Sequence, residues 1–436
     1  MQRSRLLAIG ATAALLIGLA SGGASAQAAA PNPYQVSINA LSKSHVQPIN
    51  DSTAASTQPD MGAHGKSKNK SYPGIANIDS LANFTGLFRV QGQDSSGNTN
   101  DTWLYDTVGN APGLGGATTI NAPIVPVSLN LLDSKNNVAF NDSAAPFVTP
   151  TVNSPVFQNA QYSSSAAPTQ FTDAVQRAEY NKMETSDWHT LLAPHVKQGR
   201  TMSVPAGSYF FALNADGTCC AFVLVNIDTF INLLFPAVAT DTTTPVGAAE
   251  NAGDITTKDM STFLFPNTYL YFGSDPFAPG ACCVLGFHSY DFEPGDASNG
   301  NLEKRYVLNY SSWISPGLFG GGFQDVTALS HEIAETYNDP FVASDGVHNI
   351  TPWWFSGGNC QNNLETGDVI EGLNNATYPV TMNGMTYHPQ NEALLQWFES
   401  RPVSDALDNA YSYPNESALP TANVSMTLNC TAKAIP

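Results

Sequence analysis

The stretch LSHEIAETYNDP, from Leu329 to Pro340, decides how the chain is interpreted. Apolar residues recur here every three or four positions, which predicts an amphipathic helix with one apolar stripe. The residues of the stripe are Val326, Leu329, Ile333 and Tyr337. Asp325 or Thr327 can cap the start of this helix. We expect the helix to end at Asp339, because a residue before proline disfavours the helical region.

The opposite side of the predicted helix carries ionisable residues. His331 and Glu335 are one turn apart, so both side chains can point at one cation. Glu332 lies about 100° further round the helix, where it can reach a water molecule beside that cation. This is the mechanics of His-Glu-x-x-His with a carboxylate as the second ligand, which zinc accepts. The alternative is a solvated helix face with an ordinary ion pair.

The same five residues supply the parts of a hydrolytic centre. Zinc with three protein ligands keeps one position for water and lowers the pKa of that water towards about 7. A neighbouring carboxylate can accept the proton as the water attacks a carbonyl, and can then deliver it to the leaving amine. The pattern therefore predicts a Zn²⁺ site with Glu332 as the catalytic base.

The composition excludes several classes of partner. Charged residues make up only 12% of the 436 residues, and 36 acidic against 17 basic residues give a formal charge of −19. Such a chain repels nucleic acid and anionic membranes, so neither is expected as a main partner. Hydrophobic residues, at 42%, are sufficient for a substantial core.

The first 26 residues resemble a secretory signal peptide. Arg3 and Arg5 precede a short apolar run, and small residues at 24–26 offer a cleavage site. The alternative, an N-terminal membrane anchor, is disfavoured by the shortness of that run. No later segment reads as a membrane span. We therefore predict a secreted or extracellular protein without a membrane span after signal removal.

The rest of the chain divides into two parts. Residues 27–115 are rich in Ala, Ser, Asn, Gln and Pro at first, which predicts a flexible leader or propeptide-like region. Residues 116–436 contain the main domain. Its strands are expected within 122–133, 208–213, 219–227, 268–272, 282–292 and 305–313, with helices near 170–183 and 391–400. Thr172 is the expected cap of the first of these helices. The fold class is therefore α+β and loop-rich.

Six cysteines fit an exported protein with disulfides. No Cys-x-x-Cys occurs, so a cysteine zinc site is not expected. We predict that Cys219-Cys220 pairs with Cys282-Cys283, and Cys360 with Cys430.

Several stretches resemble a group of secreted, mostly bacterial proteins similar to zinc peptidases. The pattern of that group is a His-Glu-x-Ala-Glu helix ending in Asp-Pro, followed by a Glu-x-Gly-Asp segment; here these are SHEIAETYNDP and NLETGD. SPVFQNAQY, TQFTDAVQRAEY, CCVLGFHSY and NEALLQWF are also similar, so the resemblance covers roughly residues 122–400. It implies metal-dependent peptide hydrolysis on a zincin-like catalytic domain, with a twisted mixed sheet beside the active-site helix.

The resemblance also implies roles for individual residues. His331 and Glu335 match metal ligands, Glu332 matches the catalytic base, and Glu365 and Asp368 match the downstream acidic pair. The chain departs from the group in TYN before Asp-Pro and in Cys360 preceding the acidic pair.

The third metal ligand stays open between several residues. Glu365 or Asp368 is favoured, and Asp339 is a second choice that can instead orient His331 as a hydrogen-bond acceptor. His388 and Glu371 are the remaining candidates.

Two residues before the last helix are candidates to stabilise an oxyanion. Either Tyr387 or His388 can donate a hydrogen bond to it, although a turn residue and a packed ring are the plainer interpretation. His288, on a strand expected near the helix, reads as a core or edge histidine.

Two functions from different classes remain. The first is a secreted zinc metallopeptidase of the HExxE type, with a protein or peptide substrate. The second is a catalytically inactive exported binding or cell-surface protein on the same scaffold, which the loop-rich composition and the uncertain third ligand leave open.

Overall fold

The computed structural model describes residues 32–43, 78–89, 102–164, 166–320, 322–341, 353–354, 360–361, 364–373, 375–399 and 401–421. Its α-helices are α1 (Ala145–Val152), α2 (Phe171–Glu179), α3 (Ile227–Leu234), α4 (Pro245–Ala252), α5 (Thr327–Asn338), α6 (Asp368–Glu371) and α7 (Leu395–Phe398). Its strands are β1 (Ile78–Asp79), β2 (Asn83–Arg89), β3 (Thr102–Val108), β4 (Ala117–Leu132), β5 (Val138–Asp142), β6 (His189–Val196), β7 (Arg200–Val204), β8 (Tyr209–Leu213), β9 (Cys219–Asn226), β10 (Met260–Pro266), β11 (Thr268–Tyr271), β12 (Cys282–Val284), β13 (Gly286–Glu293), β14 (Glu303–Trp313), β15 (Trp353–Trp354), β16 (Cys360–Gln361), β17 (Val380–Met382), β18 (Met385–Tyr387), β19 (Glu392–Ala393) and β20 (Ser412–Tyr413). The α+β prediction is confirmed.

The main sheet is mixed and has eight strands. Three strands run parallel through it, because β10 pairs with both β14 and β4. On the far side of β4 lie β6 and β7, also parallel to it. At the other edge β13 pairs antiparallel with β14. The long apolar run of β4 and the wholly buried β10 suit strands covered on both faces.

Strand β10 has no counterpart among the predicted strands. Its residues, MSTFLFP, are separated from the predicted strand at 268–272 by Asn267 alone. Asn267, which has a φ of 33°, separates β10 from β11 and sends the chain from the main sheet into a second sheet. A short apolar run of this kind gives no periodicity from which that change of sheet could be read.

The second sheet has four strands in the order β12-β11-β9-β8. Its apolar side packs on the main sheet through one shared core, which includes Val223, Val225, Phe263, Phe265 and Tyr310. The predicted strands that correspond to β8, β9, β11, β12 and β13 are confirmed.

The predicted pairing between the two Cys-Cys stretches is wrong. Each stretch is bonded within itself, as Cys219–Cys220 and as Cys282–Cys283. The strand β11 lies between β9 and β12, and Cys282 is aligned with Tyr271 at the end of β9 opposite from Cys219. That separation exceeds the reach of a disulfide. The side chain of Cys360 and all of Cys430 lie outside the described residues.

Helix α5 confirms the predicted helix almost to the residue. It ends at Asn338, with Asp339 as the C-cap. The four residues of the apolar stripe are buried in one core cluster with Ile124, Leu264 and Val307. Neither predicted residue caps the start: Val326 occupies the N-cap and no side chain caps it. All twelve residues of α5 are buried, so its polar side is not a solvated face.

Helix α2 packs beside α5 and differs from its prediction at the start. Gln170 holds the N-cap position, and Thr172 lies inside the first turn, so the predicted Thr172 cap is wrong. The Gln170 amide instead donates to the backbone carbonyls of Phe157 and Leu192. It therefore fixes the helix to its neighbouring strand rather than capping it.

Parts of the region before residue 116 belong to the same core. Phe84 of β2 and Tyr105 of β3 are buried in a cluster with Trp188, and β1 pairs with β14. The backbone N–H of Val36 donates to the carbonyl of Phe211 of β8. These described segments pack on the main domain, and the leader or propeptide-like role of residues 27–115 stays a prediction.

The signal peptide prediction for residues 1–26 lies outside the described residues. No described helix has the length and apolar content that crossing a membrane requires.

Candidate metal centre

A cavity of about 420 Å³ opens beside the polar side of α5. Three parts of the chain form its walls: α5 itself, the start of the edge strand β13, and the segment that leads into α6. Leu285, Phe287, Phe323 and Ala328 supply apolar lining. The ionisable residues of the lining are His288, His331, Glu332, Glu335, Glu365, Asp368 and Glu371.

Helix α5 contributes the three residues that the sequence singles out. His331, Glu332 and Glu335 are 5%, 4% and 1% exposed. The Nε2 atom of His331 lies 3.1 Å from Glu335 Oε2 and 3.8 Å from Glu332 Oε1. One helical turn between His331 and Glu335 therefore does bring their side chains together, as predicted.

Strand β13 contributes His288, which sequence reasoning placed in the core. This residue is 2% exposed, and its Nδ1 lies 3.4 Å from Glu335 Oε2 and 3.6 Å from Glu332 Oε2. The strand location is confirmed, but the side chain faces the same carboxylates as His331. The sequence could not predict this contact, because His288 is far from His331 along the chain and only the packing of α5 on β13 brings the two residues together. The one signal was an ionisable residue within an aromatic, apolar strand.

Helix α6 and the segment before it contribute the downstream acidic residues. Asp368 Oδ1 lies 3.5 Å from His331 Nε2, and Glu371 Oε1 lies 3.9 Å from His331 Nδ1. The backbone N–H of Gly367 donates to Glu335 Oε1 at 2.9 Å. A Cβ atom at Gly367 would stand 2.4 Å from His331 Nδ1, so this close approach requires glycine.

The ligand atoms converge in three overlapping groups, in each of which all atoms lie within 4.8 Å of one another. Glu335 belongs to two groups, and so does His331. The groups are His288 with Glu335 and Glu365, His331 with Glu332 and Glu335, and His331 with Asp368 and Glu371. Buried histidines and carboxylates of this kind could hold a metal ion, as predicted.

The two imidazoles are held in the charged form by their carboxylate neighbours. Burial alone lowers the pKa of His288, but hydrogen bonds and attraction to Glu332 and Glu335 raise that pKa to about 10. The pKa of His331 is raised in the same way despite its burial, mainly by Glu335 and Glu332. The cavity therefore favours positive charge at both rings.

The pKa values of the carboxyl groups are shifted in different directions. Burial opposes ionisation of Glu335, yet the neighbouring His331 and His288 hold its pKa well below the usual range. Burial raises the pKa of Glu332, against the attraction of His331. Burial also raises the pKa of Asp368, and it raises that of Glu371 to about 7. Burial thus disfavours the ionised form of three of these carboxyl groups, whereas the histidines favour it at Glu335.

The residues of the cavity fit a divalent cation. Five carboxyl groups and two imidazoles line it, and no lysine or arginine is among the described lining residues. Several buried atoms there have no hydrogen-bond partner: His288 Nε2, His331 Nδ1, Glu332 Oε2, Asp368 Oδ2 and Glu371 Oε2. Leaving such groups buried without partners is costly. A cation would supply the missing positive charge and accept imidazole nitrogen together with carboxylate oxygen.

Asp339 holds the segment before α6 in place by a hydrogen bond to its backbone. Its Oδ2 accepts the backbone N–H of Leu364 at 2.9 Å, which anchors the segment that carries Glu365. It is not a member of the three convergent groups found among the described residues.

The structure does not bring Tyr387 and His388 into the cavity. The Tyr387 hydroxyl donates to the carbonyl of Pro150 at 3.0 Å. Both ring nitrogens of His388 have partners, with Nδ1 2.7 Å from Asp325 Oδ2 and Nε2 3.0 Å from the Gln324 amide nitrogen. Tyr387 thus bonds to α1, and His388 supports the start of α5.

Comparisons with known proteins found no match: no family model, no curated protein and no solved structure matches this chain.

Proposed function

We propose that the protein is a secreted zinc-dependent peptidase of the HExxE type, which hydrolyses peptide bonds in a protein or peptide substrate. The observation that carries this proposal is the buried convergence of His331 and Glu335, with Glu332 adjacent and its Oε2 without a hydrogen-bond partner. A buried helix face that served only stability would not be expected to leave such polar atoms without partners.

Zinc is the metal that the donor set favours. His331 and Glu335 would hold it, with Glu365 or Asp368 as the third protein ligand and His288 available from β13. Mixed nitrogen and carboxylate ligands suit zinc, whereas calcium and magnesium prefer oxygen alone. When bound, such an ion would polarise a substrate carbonyl and acidify a water molecule.

The chain's own residues supply the proton transfer. Glu332 is buried, its pKa is raised by that burial, and its Oε2 has no hydrogen-bond partner. A carboxylate in this state is suited to accept a proton from water and to return it to the leaving amine. His288, 3.6 Å from that oxygen, is placed to stabilise the ionised carboxylate before it accepts the proton and after it has returned it.

The zincin-like assignment rests on the arrangement of α5. This helix packs its apolar stripe towards the main sheet and directs its polar side to a cavity bordered by an antiparallel edge strand. The resemblance in SHEIAETYNDP and NLETGD supports the same assignment.

The test is zinc-dependent cleavage of casein or of a peptide library by the purified mature protein. We expect a chelator to abolish cleavage and zinc to restore it. Glu332→Gln should lower the rate by about 10²–10⁴-fold, because it removes the base and keeps the ligands. Glu416→Gln, at an exposed glutamate outside the cavity lining, is the control and should cleave normally. Cleavage that survives both the chelator and Glu332→Gln would rule the proposal out.

A further inference from the structure

A second buried polar cluster lies where α2 and α5 end. Its members are Glu179 at the end of α2, Asn338 at the end of α5, Glu392 in β19 and Gln396 in α7. Their side chains are 4%, 3%, 0% and 8% exposed, in that order. None of the four lines the cavity beside α5.

The hydrogen bonds within this cluster engage both amide nitrogens and leave oxygen atoms without partners. The Asn338 amide donates to Glu179 Oε1 at 2.8 Å, and the Gln396 amide donates to the Glu179 backbone carbonyl at 2.7 Å. Buried oxygens without any partner remain on all four side chains: Glu179 Oε2, Asn338 Oδ1, Glu392 Oε1 and Gln396 Oε1. The side-chain atoms of the cluster that have no partner are therefore all oxygens, which a donor or a positive charge would satisfy.

The charges around the cluster agree with this deficit. Among the described residues, no lysine or arginine pairs with Glu179 or Glu392. Burial raises the pKa of Glu392, the attraction of His331 lowers it, and the negative charges of Glu335 and Glu179 raise it. The C-terminal ends of α2 and α5 add partial negative charge, because a helix exposes carbonyl oxygens there.

We infer that this cluster is a structural cation site of the calcium type. Carboxylate and amide oxygens are the ligands that a hard cation takes, and an all-oxygen set separates this site from the histidine-containing cavity. Two carboxylates would balance the charge of one Ca²⁺ ion. Buried polar oxygens without partners otherwise need ordered water, which is the competing occupant.

The position of the site indicates what the ion would do. Thr366 donates its hydroxyl to Glu392 Oε2 at 3.2 Å, and its carbonyl accepts the backbone N–H of Ala393 at 2.9 Å. Thr366 lies between Glu365 and Gly367, on the segment that borders the cavity. An ion bound to Glu392 and Glu179 would therefore fix that segment against α2 and α5. This inference does not depend on the peptidase proposal.

The experiment uses the full mature chain, stripped with chelator and titrated with Tb³⁺ and with Ca²⁺. Tyr180, Tyr337 and Trp397 directly follow or precede members of the cluster, so they should sensitise Tb³⁺ emission. We expect emission to saturate at one equivalent and Ca²⁺ to displace Tb³⁺. At about one hundred times the dissociation constant, Ca²⁺ should raise the Tm by roughly 3 °C.

Three variants assign the response. Glu179→Gln and Glu392→Gln should each weaken Ca²⁺ binding at least tenfold, and two separate variants guard against one that does not fold. Glu335→Gln alters the cavity and should keep the calcium response. The inference is overturned if the wild-type protein shows no calcium response, as a site filled by water would, or if both variants of the cluster bind with wild-type affinity. It is also overturned if Glu335→Gln alone abolishes the response.

Discussion

Two buried aspartates outside the cavity, each paired with a histidine, differ from the carboxyl groups of the cavity in how fully they are hydrogen-bonded. Asp173 is fully buried, yet it accepts hydrogen bonds from the Thr169 hydroxyl at 2.6 Å, from the Thr190 backbone at 2.7 Å and from the His189 ring at 2.8 Å. Asp325 is similarly bound by His388 and by backbone N–H groups.

The carboxylates beside His331 are arranged differently. Oxygens of Glu332, Asp368 and Glu371 are buried without a hydrogen-bond partner, and so is His331 Nδ1. A histidine beside an aspartate is therefore not by itself a sign of function in this molecule. What indicates a functional site is a group of buried nitrogen and oxygen atoms without hydrogen-bond partners, because nearly all buried polar atoms in native structures have partners.

The largest effect on the free energy of unfolding at neutral pH should come from Asp173, which accepts three hydrogen bonds. Asp173→Ala removes an acceptor of three hydrogen bonds and leaves buried donors without partners, so we expect a loss of about 3 kcal/mol in the free energy of unfolding. Chemical denaturation measures this loss. Asp187→Ala, at an exposed aspartate with one hydroxyl partner, is the control and should change stability by under about 0.5 kcal/mol. Equal losses in the two variants would contradict the distinction between the regions.

A smaller effect, on zinc affinity, is expected at Gly367, where the backbone approaches His331. Gly367→Ala places a methyl group 2.4 Å from His331 Nδ1 and disturbs the segment whose N–H supports Glu335. We expect zinc affinity to fall by about 10–100-fold, as when the groups that orient metal ligands are altered.

Competition with a chromogenic chelator measures that affinity. Gly372→Ala is the matched control, because an added Cβ there meets no atom within 4 Å. Undiminished affinity in Gly367→Ala would show that His331 is not a ligand.

A third effect concerns how stability depends on pH through Asp142, which lies outside both regions and has one buried oxygen, Oδ2, without a hydrogen-bond partner. Burial raises the pKa of Asp142 in β5 to about 7, although backbone N–H groups of Cys220 and Ser143 oppose this. A raised pKa means that the folded state keeps the proton when the unfolded state has lost it. Stability from this group is therefore lost as the pH rises from about 4 to about 7.

Asp142→Asn should remove that slope, and its stability relative to the wild-type protein should rise by about 4 kcal/mol between these pH values. Denaturation of both proteins at several pH values gives the difference. Parallel pH curves would show that Asp142 keeps an ordinary pKa in the folded protein.

Local pattern was sufficient to predict α5 and what it carries. The spacing of Val326, Leu329, Ile333 and Tyr337 determined the buried side, and Pro340 determined the end. His331, Glu332 and Glu335 then had to share the other side, because they lie within five consecutive residues.

Contacts between distant segments could not be predicted in this way. His288 reaches Glu335 only because β13 pairs with β14 and α5 packs on both, and no spacing in the sequence encodes that. The same limit explains the wrong cysteine pairing, since the place of β11 between β9 and β12 is a matter of topology. Asp368 and Glu371, in contrast, were accessible as acidic residues three positions apart.

The most direct test of the account is the zinc content of the purified protein after loading and extensive dialysis. The account predicts one equivalent per chain in the wild-type protein and in Asp173→Ala molecules that remain folded, and a loss of that equivalent in Glu335→Gln. A folded wild-type protein that retains no zinc, or a Glu335→Gln variant that retains as much as the wild type, would contradict it.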